Sequence, residues 1–190
     1  MVKKRNILNM TLAAMFMAIG IVLPFFTGQV PQIGKMLLPM HIPVLLCGLI
    51  CGWQYGLVIG FVMPFLRYSM FGMPVLFPTG TAMAFELATY GMASGLFYSR
   101  SRWKCIISLY RSMIAAMLAG RIVWALAQMV LLGTGEGGFT LQMFMANAFI
   151  NAVPGIVLQL VLIPGVMAAL NRTGFVQFSK KTAKIQNMEG

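Results

Sequence analysis

Pro39-Met-His-Ile-Pro-Val-Leu-Leu-Cys-Gly-Leu-Ile-Cys-Gly-Trp-Gln-Tyr-Gly-Leu-Val-Ile-Gly-Phe61 holds two apolar segments end to end without one Lys, Arg, Asp or Glu. The first, 41–52, reaches only about 18 Å as a helix, short of the ~30 Å hydrocarbon core of a bilayer. A brief break at Trp53-Gln-Tyr55 separates it from the next segment, 56–70. Gly48, Gly52, Gly56 and Gly60 recur every fourth residue across that break. Small residues at this spacing let backbones approach closely inside a membrane bundle, so they are read as internal packing positions.

The rest of the chain is of the same kind. Of 190 residues, 59% are hydrophobic and 9% are charged, against roughly a quarter charged in a soluble domain. Mean hydropathy is +0.85. These figures exclude a soluble globular protein, a disordered tail and a nucleic-acid-binding domain. Fourteen Lys and Arg against three Glu leave a net charge of +11. In a soluble domain that imbalance points to phosphate partners; in a membrane protein it marks cytoplasmic loops.

Extending the segmentation outward gives six apolar stretches at 7–26, 41–52, 56–70, 79–98, 105–132 and 141–170, followed by a basic tail at 171–190. The expected fold is an all-α integral membrane protein of six transmembrane segments in a single membrane domain. The first stretch is long enough to span a bilayer and no Ala-x-Ala site follows it, so it reads as a retained helix, not a signal peptide. Pro154 and Pro164 predict a kinked or tilted last segment. With both termini in the cytoplasm, the inner ends hold Lys3, Lys4, Arg5, Arg100, Arg102, Lys104, Arg172, Lys180, Lys181 and Lys184, ten of the fourteen basic residues. That bias predicts the orientation in a bacterial-type cytoplasmic membrane.

Charges inside the apolar stretches are the candidate functional groups. Glu86 lies seven residues after Thr79, about 10 Å inward from the outer end, and Arg121 lies eleven residues before Leu132, about 16 Å inward. A charge in lipid costs at least ~2.5–3.5 kcal/mol, so both should face the bundle interior, either as an ion pair that fixes packing or as ligand-binding groups. Gln128 and Trp124 share the face of Arg121. Asn147 and Asn151 stand four residues apart on the last segment, and Arg67 and His41 lie near the outer surface. Together they supply donors, a carboxylate and an aromatic platform, which suits an organic solute with a few polar groups. No metal or other cofactor is expected. Cys47, Cys51 and Cys105 have no His or carboxylate beside them and read as buried packing residues. One His and three Glu argue against a hydrolytic enzyme. Gly-x-x-x-x-Gly-Lys-Ser/Thr, the phosphate-binding loop of ATPases, is absent from the sequence.

Three features combine into a family resemblance: a short second helix ending at Gly52-Trp-Gln-Tyr-Gly56, the Ala14-x-x-x-Ala18 strip on the first helix, and six segments with basic cytoplasmic ends. The chain, over about residues 5–175, resembles the S components of energy-coupling factor (ECF) vitamin transporters. The resemblance implies a non-catalytic subunit that binds a vitamin or related solute from outside. It implies docking through the Ala14 and Ala18 face onto a transmembrane coupling subunit that carries two cytoplasmic ATPases. Cargo release would follow toppling of the subunit in the lipid bilayer, driven by those ATPases. It places the binding site in the outer half, where Glu86, Arg121, Gln128, Asn147 and Asn151 fall. His41-Ile-Pro-Val resembles the second helix of the pantothenate and folate branch, with Arg67 or Arg121 as a carboxylate partner. Pyridoxine-like, hydroxymethylpyrimidine and cobalamin cargoes remain open, as does a scaffold subunit with no cargo.

Overall fold

The structure is a computed structural model and describes residues 2–24, 39–101, 105–132 and 153–172. Those residues form helices and no strand: α1 (Val2–Val22), α2 (His41–Cys51), α3 (Trp53–Phe71), α4 (Thr81–Arg100), α5 (Ile106–Leu132) and α6 (Val153–Arg172), with a kinked turn at Leu76–Gly80, extended at Phe77, before α4. Residues 141–152 of the last apolar stretch, with Asn147 and Asn151, lie outside the described residues.

Local chemistry sets several of the ends. α1 stops two residues before Pro24, where the chain tightens into a short 3₁₀ turn, because a proline disfavours the helical conformation in the residue before it. Gly72 closes α3 in the left-handed conformation (φ 67°), its N–H donating to Tyr68 O at 2.8 Å. The Thr81 hydroxyl donates to Pro78 O at 2.8 Å as α4 begins. At the far end of α4, the Ser101 N–H is shared between the Phe97 and Tyr98 carbonyls.

Trp53-Gln-Tyr55 is not a break but the first turn of α3. Gly52 alone turns the chain, at φ 108° and ψ 164°, a conformation that is essentially restricted to glycine. The Gly56 N–H already bonds back to Gly52 O at 3.1 Å. The carbonyl left over at the end of α2, Cys51 O, accepts from Asn9 of α1 at 3.3 Å.

All but one residue of α2 is buried, enclosed by α1, α3 and α4. A helix too short to span a bilayer is thus sheathed by protein along its sides. Around it the glycines bring backbone onto backbone. A Cβ at Gly56 would stand 2.6 Å from Gly91 O, and one at Gly95 would stand 2.5 Å from Gly48 O and 2.7 Å from Trp53 N. Gly48 and Gly60 meet the backbone of α4 in the same way, at Gly91 and Leu87. Gly52 is different: no atom lies within 4 Å of its Cβ direction, so its role is the turn. Larger side chains fill the two ends of this node, Leu45, Tyr90, Met113 and Ile163 in one cluster and Val44, Met63 and Leu87 in the other.

α5 and α6 are long and apolar enough to cross a membrane, and only 33% and 28% of their most apolar windows is buried. Val130, Ile107 and Val161 are 84%, 71% and 69% exposed. Apolar faces of that extent are stable against lipid and not against water.

Candidate functional site

Glu86 sits on the inward face of α4 with Ala82 and Tyr90, each one helical turn from the next. Its carboxylate meets α5 and α2 at once. Arg121 Nη1 lies 3.1 Å from Glu86 Oε1, and His41 Nε2 lies 3.7 Å from the same oxygen. The three side chains are buried, the imidazole completely. The Tyr90 ring stands edge-on to His41 at 5.0 Å and 83°, the arrangement that aligns a positive ring edge with a π face. Tyr90 fits because α5 has glycine opposite: a Cβ at Gly120 would lie 2.8 Å from its ring. That close approach brings Arg121, the next residue of α5, to Glu86. Gln128, two turns further along α5, and Gln159 of α6 are also buried.

The ion pair is close but not closed. Oε1 of Glu86 has no partner in hydrogen-bonding geometry among the described residues, since Nη1 approaches off the bonding direction. Both nitrogens of His41, Nε and Nη2 of Arg121, Oε1 of Gln128 and Nε2 of Gln159 are likewise buried without a hydrogen-bond partner there. Folded proteins contain few such atoms, and each costs roughly 1–3 kcal/mol if left unmet. Those of His41, Glu86 and Arg121 fall at one place, where the three side chains meet. The set is mixed. Arg121 and Gln159 donate; Glu86 and Gln128 accept; the His41 ring adds two nitrogens. Glu86 and Arg121 cancel in charge.

Among the residues singled out in the sequence, the structure brings Glu86, Arg121 and His41 together. Gln128 lies on the same buried face of α5, and Trp124 is half-buried on that helix. Arg67 is buried elsewhere, near the end of α3. Its Nη1 donates to Ile21 O of α1 at 3.3 Å, and its guanidinium lies 6.0 Å from the Phe71 ring. Glu86 is the sole carboxylate among the described residues, so Arg67 has no carboxylate partner there. Asn147 and Asn151 lie outside the described residues. Tyr90 and Gln159 were missed by the sequence reading. Tyr90 was findable, one turn from Glu86 on the same face; Gln159 was findable as the one amide within an apolar run of α6. No three His, Cys, Asp or Glu side chains come together among the described residues.

On α1, Ala13 and Gly20 are buried, whereas Ala14 and Ala18 are exposed on the opposite side. The model of the family "ECF transporter, substrate-specific component" matches residues 8–176. The chain belongs to this family. No curated protein and no solved structure shows detectable similarity to it. As a substrate-specific component of an ECF transporter it is a membrane protein and the substrate-binding subunit of a module that also has coupling and ATPase subunits.

Proposed function

We propose that this substrate-specific component captures a small polar vitamin or vitamin precursor in the region of His41, Glu86, Tyr90, Arg121, Gln128 and Gln159. The observation that carries the reading is the set of buried polar atoms around the Glu86–Arg121 pair that no described residue satisfies. Pantothenate is the leading cargo. It has one carboxylate for Arg121, whose Nε and Nη2 are buried without a hydrogen-bond partner among the described residues. Its amide and two hydroxyls offer the mixture of donors and acceptors that the neutral pair and the two glutamines call for. Asn147, Asn151 and Trp124 complete the wall in this proposal. Folate, pyridoxine-like, hydroxymethylpyrimidine and cobalamin cargoes are the competitors.

The chain crosses the membrane six times as one domain, with both termini in the cytoplasm, where ten of its fourteen basic residues gather. The exposed Ala14 and Ala18 strip of α1 docks on the coupling subunit, and the two ATPases drive toppling and inward release. The chain itself performs no catalysis.

The test is ligand binding by the purified full chain in detergent. Titration calorimetry with pantothenate and a thermal-shift screen of the competing cargoes should find one compound that stabilises the protein saturably. Mass spectrometry of the freshly purified protein should show the same compound. No stabilisation across the panel and no co-purifying small molecule overturns the proposal.

A further inference from the structure

A polar concavity lies at the other end of α4, far from the candidate site. Arg100 is fourteen residues beyond Glu86, about 21 Å along the helix. Here the end of α4 and the start of α5 enclose an open groove of about 630 Å³ lined by Phe97, Arg100, Ser108, Arg111, Ser112 and their neighbours. Arg100 and Arg111 are exposed, and Ser108 and Ser112 are buried at the groove floor. The first turn of α5 carries no acidic residue, so its N–H groups add positive potential that no side chain offsets. The sole carboxylate among the described residues is Glu86, at the opposite end. Two guanidiniums therefore line a concavity with no counter-charge nearby among the described residues.

The remaining lining identifies the anion. Phe97 and Ile107 are 46% and 71% exposed, and Ala115 continues the wall along α5. The groove is thus cationic at its mouth and apolar along its length, on helices that belong in a bilayer. A soluble anion has no use for the apolar wall, whereas a phospholipid has a phosphodiester for the arginines and acyl chains for the wall. Basic pockets between helices at a membrane surface hold anionic headgroups by this combination. We infer that the groove between Arg100 and Arg111 binds the headgroup of an anionic phospholipid, with Ser108 and Ser112 at its floor. This site is independent of cargo.

The experiment uses the full chain in a mild detergent, with phosphatidylglycerol, phosphatidylcholine of the same acyl chains and inorganic phosphate as probes. Native mass spectrometry counts retained lipid, and thermal unfolding gives the half-maximal stabilising concentration. Phosphatidylglycerol should be retained and should stabilise; phosphatidylcholine and phosphate should not. Arg100→Gln/Arg111→Gln should raise the half-maximal concentration at least about fivefold, and Arg111→Lys, which keeps the charge, should recover most of it. Arg172→Gln, at the end of α6, should leave it unchanged. If the double variant does not fold, the two single variants carry the test. Equal effects of the two lipids, full stabilisation by phosphate, or an equal loss in Arg172→Gln overturns the inference. So does unchanged lipid retention in the arginine variants, including the case where they instead lose assembly with the coupling subunit.

Discussion

Replacing Arg121 by Met separates the two jobs of the buried pair. The substitution conserves bulk and leaves the buried Glu86 of α4 with His41 Nε2 at 3.7 Å and no guanidinium. Breaking a buried pair by removing one partner costs about 3–5 kcal/mol, whereas replacing both partners by apolar residues is often neutral. The His41 ring stays beside the carboxylate, and the expectation for Arg121→Met is about 3 kcal/mol. Glu86→Leu/Arg121→Met should return to within about 1 kcal/mol of the parent stability. Binding should behave oppositely. A hydrogen bond from a charged group contributes about 1.5–3 kcal/mol, which corresponds to a roughly 10- to 150-fold weaker Kd in Arg121→Met. The double variant should bind no better than Arg121→Met. Thermal unfolding in detergent and titration calorimetry on the same samples measure both axes. A double variant that is stable and binds cargo with parental affinity would refute the reasoning, since the pair would then be packing alone.

Three further predictions follow from the helix contacts. Ala14→Trp and Ala18→Trp, on the exposed side of α1, should abolish uptake in cells carrying the complete transporter while leaving cargo affinity within about twofold; full uptake by both variants would remove the docking role. Gly91→Ala drives a methyl group into the Gly56 carbonyl and should cost at least about 1–3 kcal/mol, visible as a lowered thermal midpoint in detergent. Gly52→Ala meets no atom within 4 Å, yet should cost about 1–3 kcal/mol through its φ of 108° alone; if it matches the parent in the same assay, the turn tolerates a side chain.

Much of the helical layout is legible in the sequence, because apolar length and the Gly and Pro punctuation act locally. Trp53-Gln-Tyr55 misleads since polar and aromatic residues resemble a loop, while the structure needs only the single glycine before them to reverse direction. Glu86 and Arg121 stand out because an ionised group in an apolar run is costly wherever it points. Tyr90 and Gln159 escape for the complementary reason: a phenol or an amide is cheap enough on an apolar helix to pass as packing. His41 is the instructive case. Sequence position puts it at the outer end of a segment, but distance along a helix axis says nothing of lateral position. α2 is enclosed on its sides, so its first residue is already inside the protein.

The glycine node of α2, α3 and α4 has a mechanical consequence. Side chains packed against side chains can slip by changing rotamers; main chain lodged against main chain has no such freedom. The three helices are therefore held as one stiff body. His41, Glu86 and Tyr90 ride on that body in a fixed mutual arrangement. Arg121 is carried on α5, outside it. The Glu86–Arg121 contact thus ties that stiff body to α5, beside the seat of Tyr90 on Gly120.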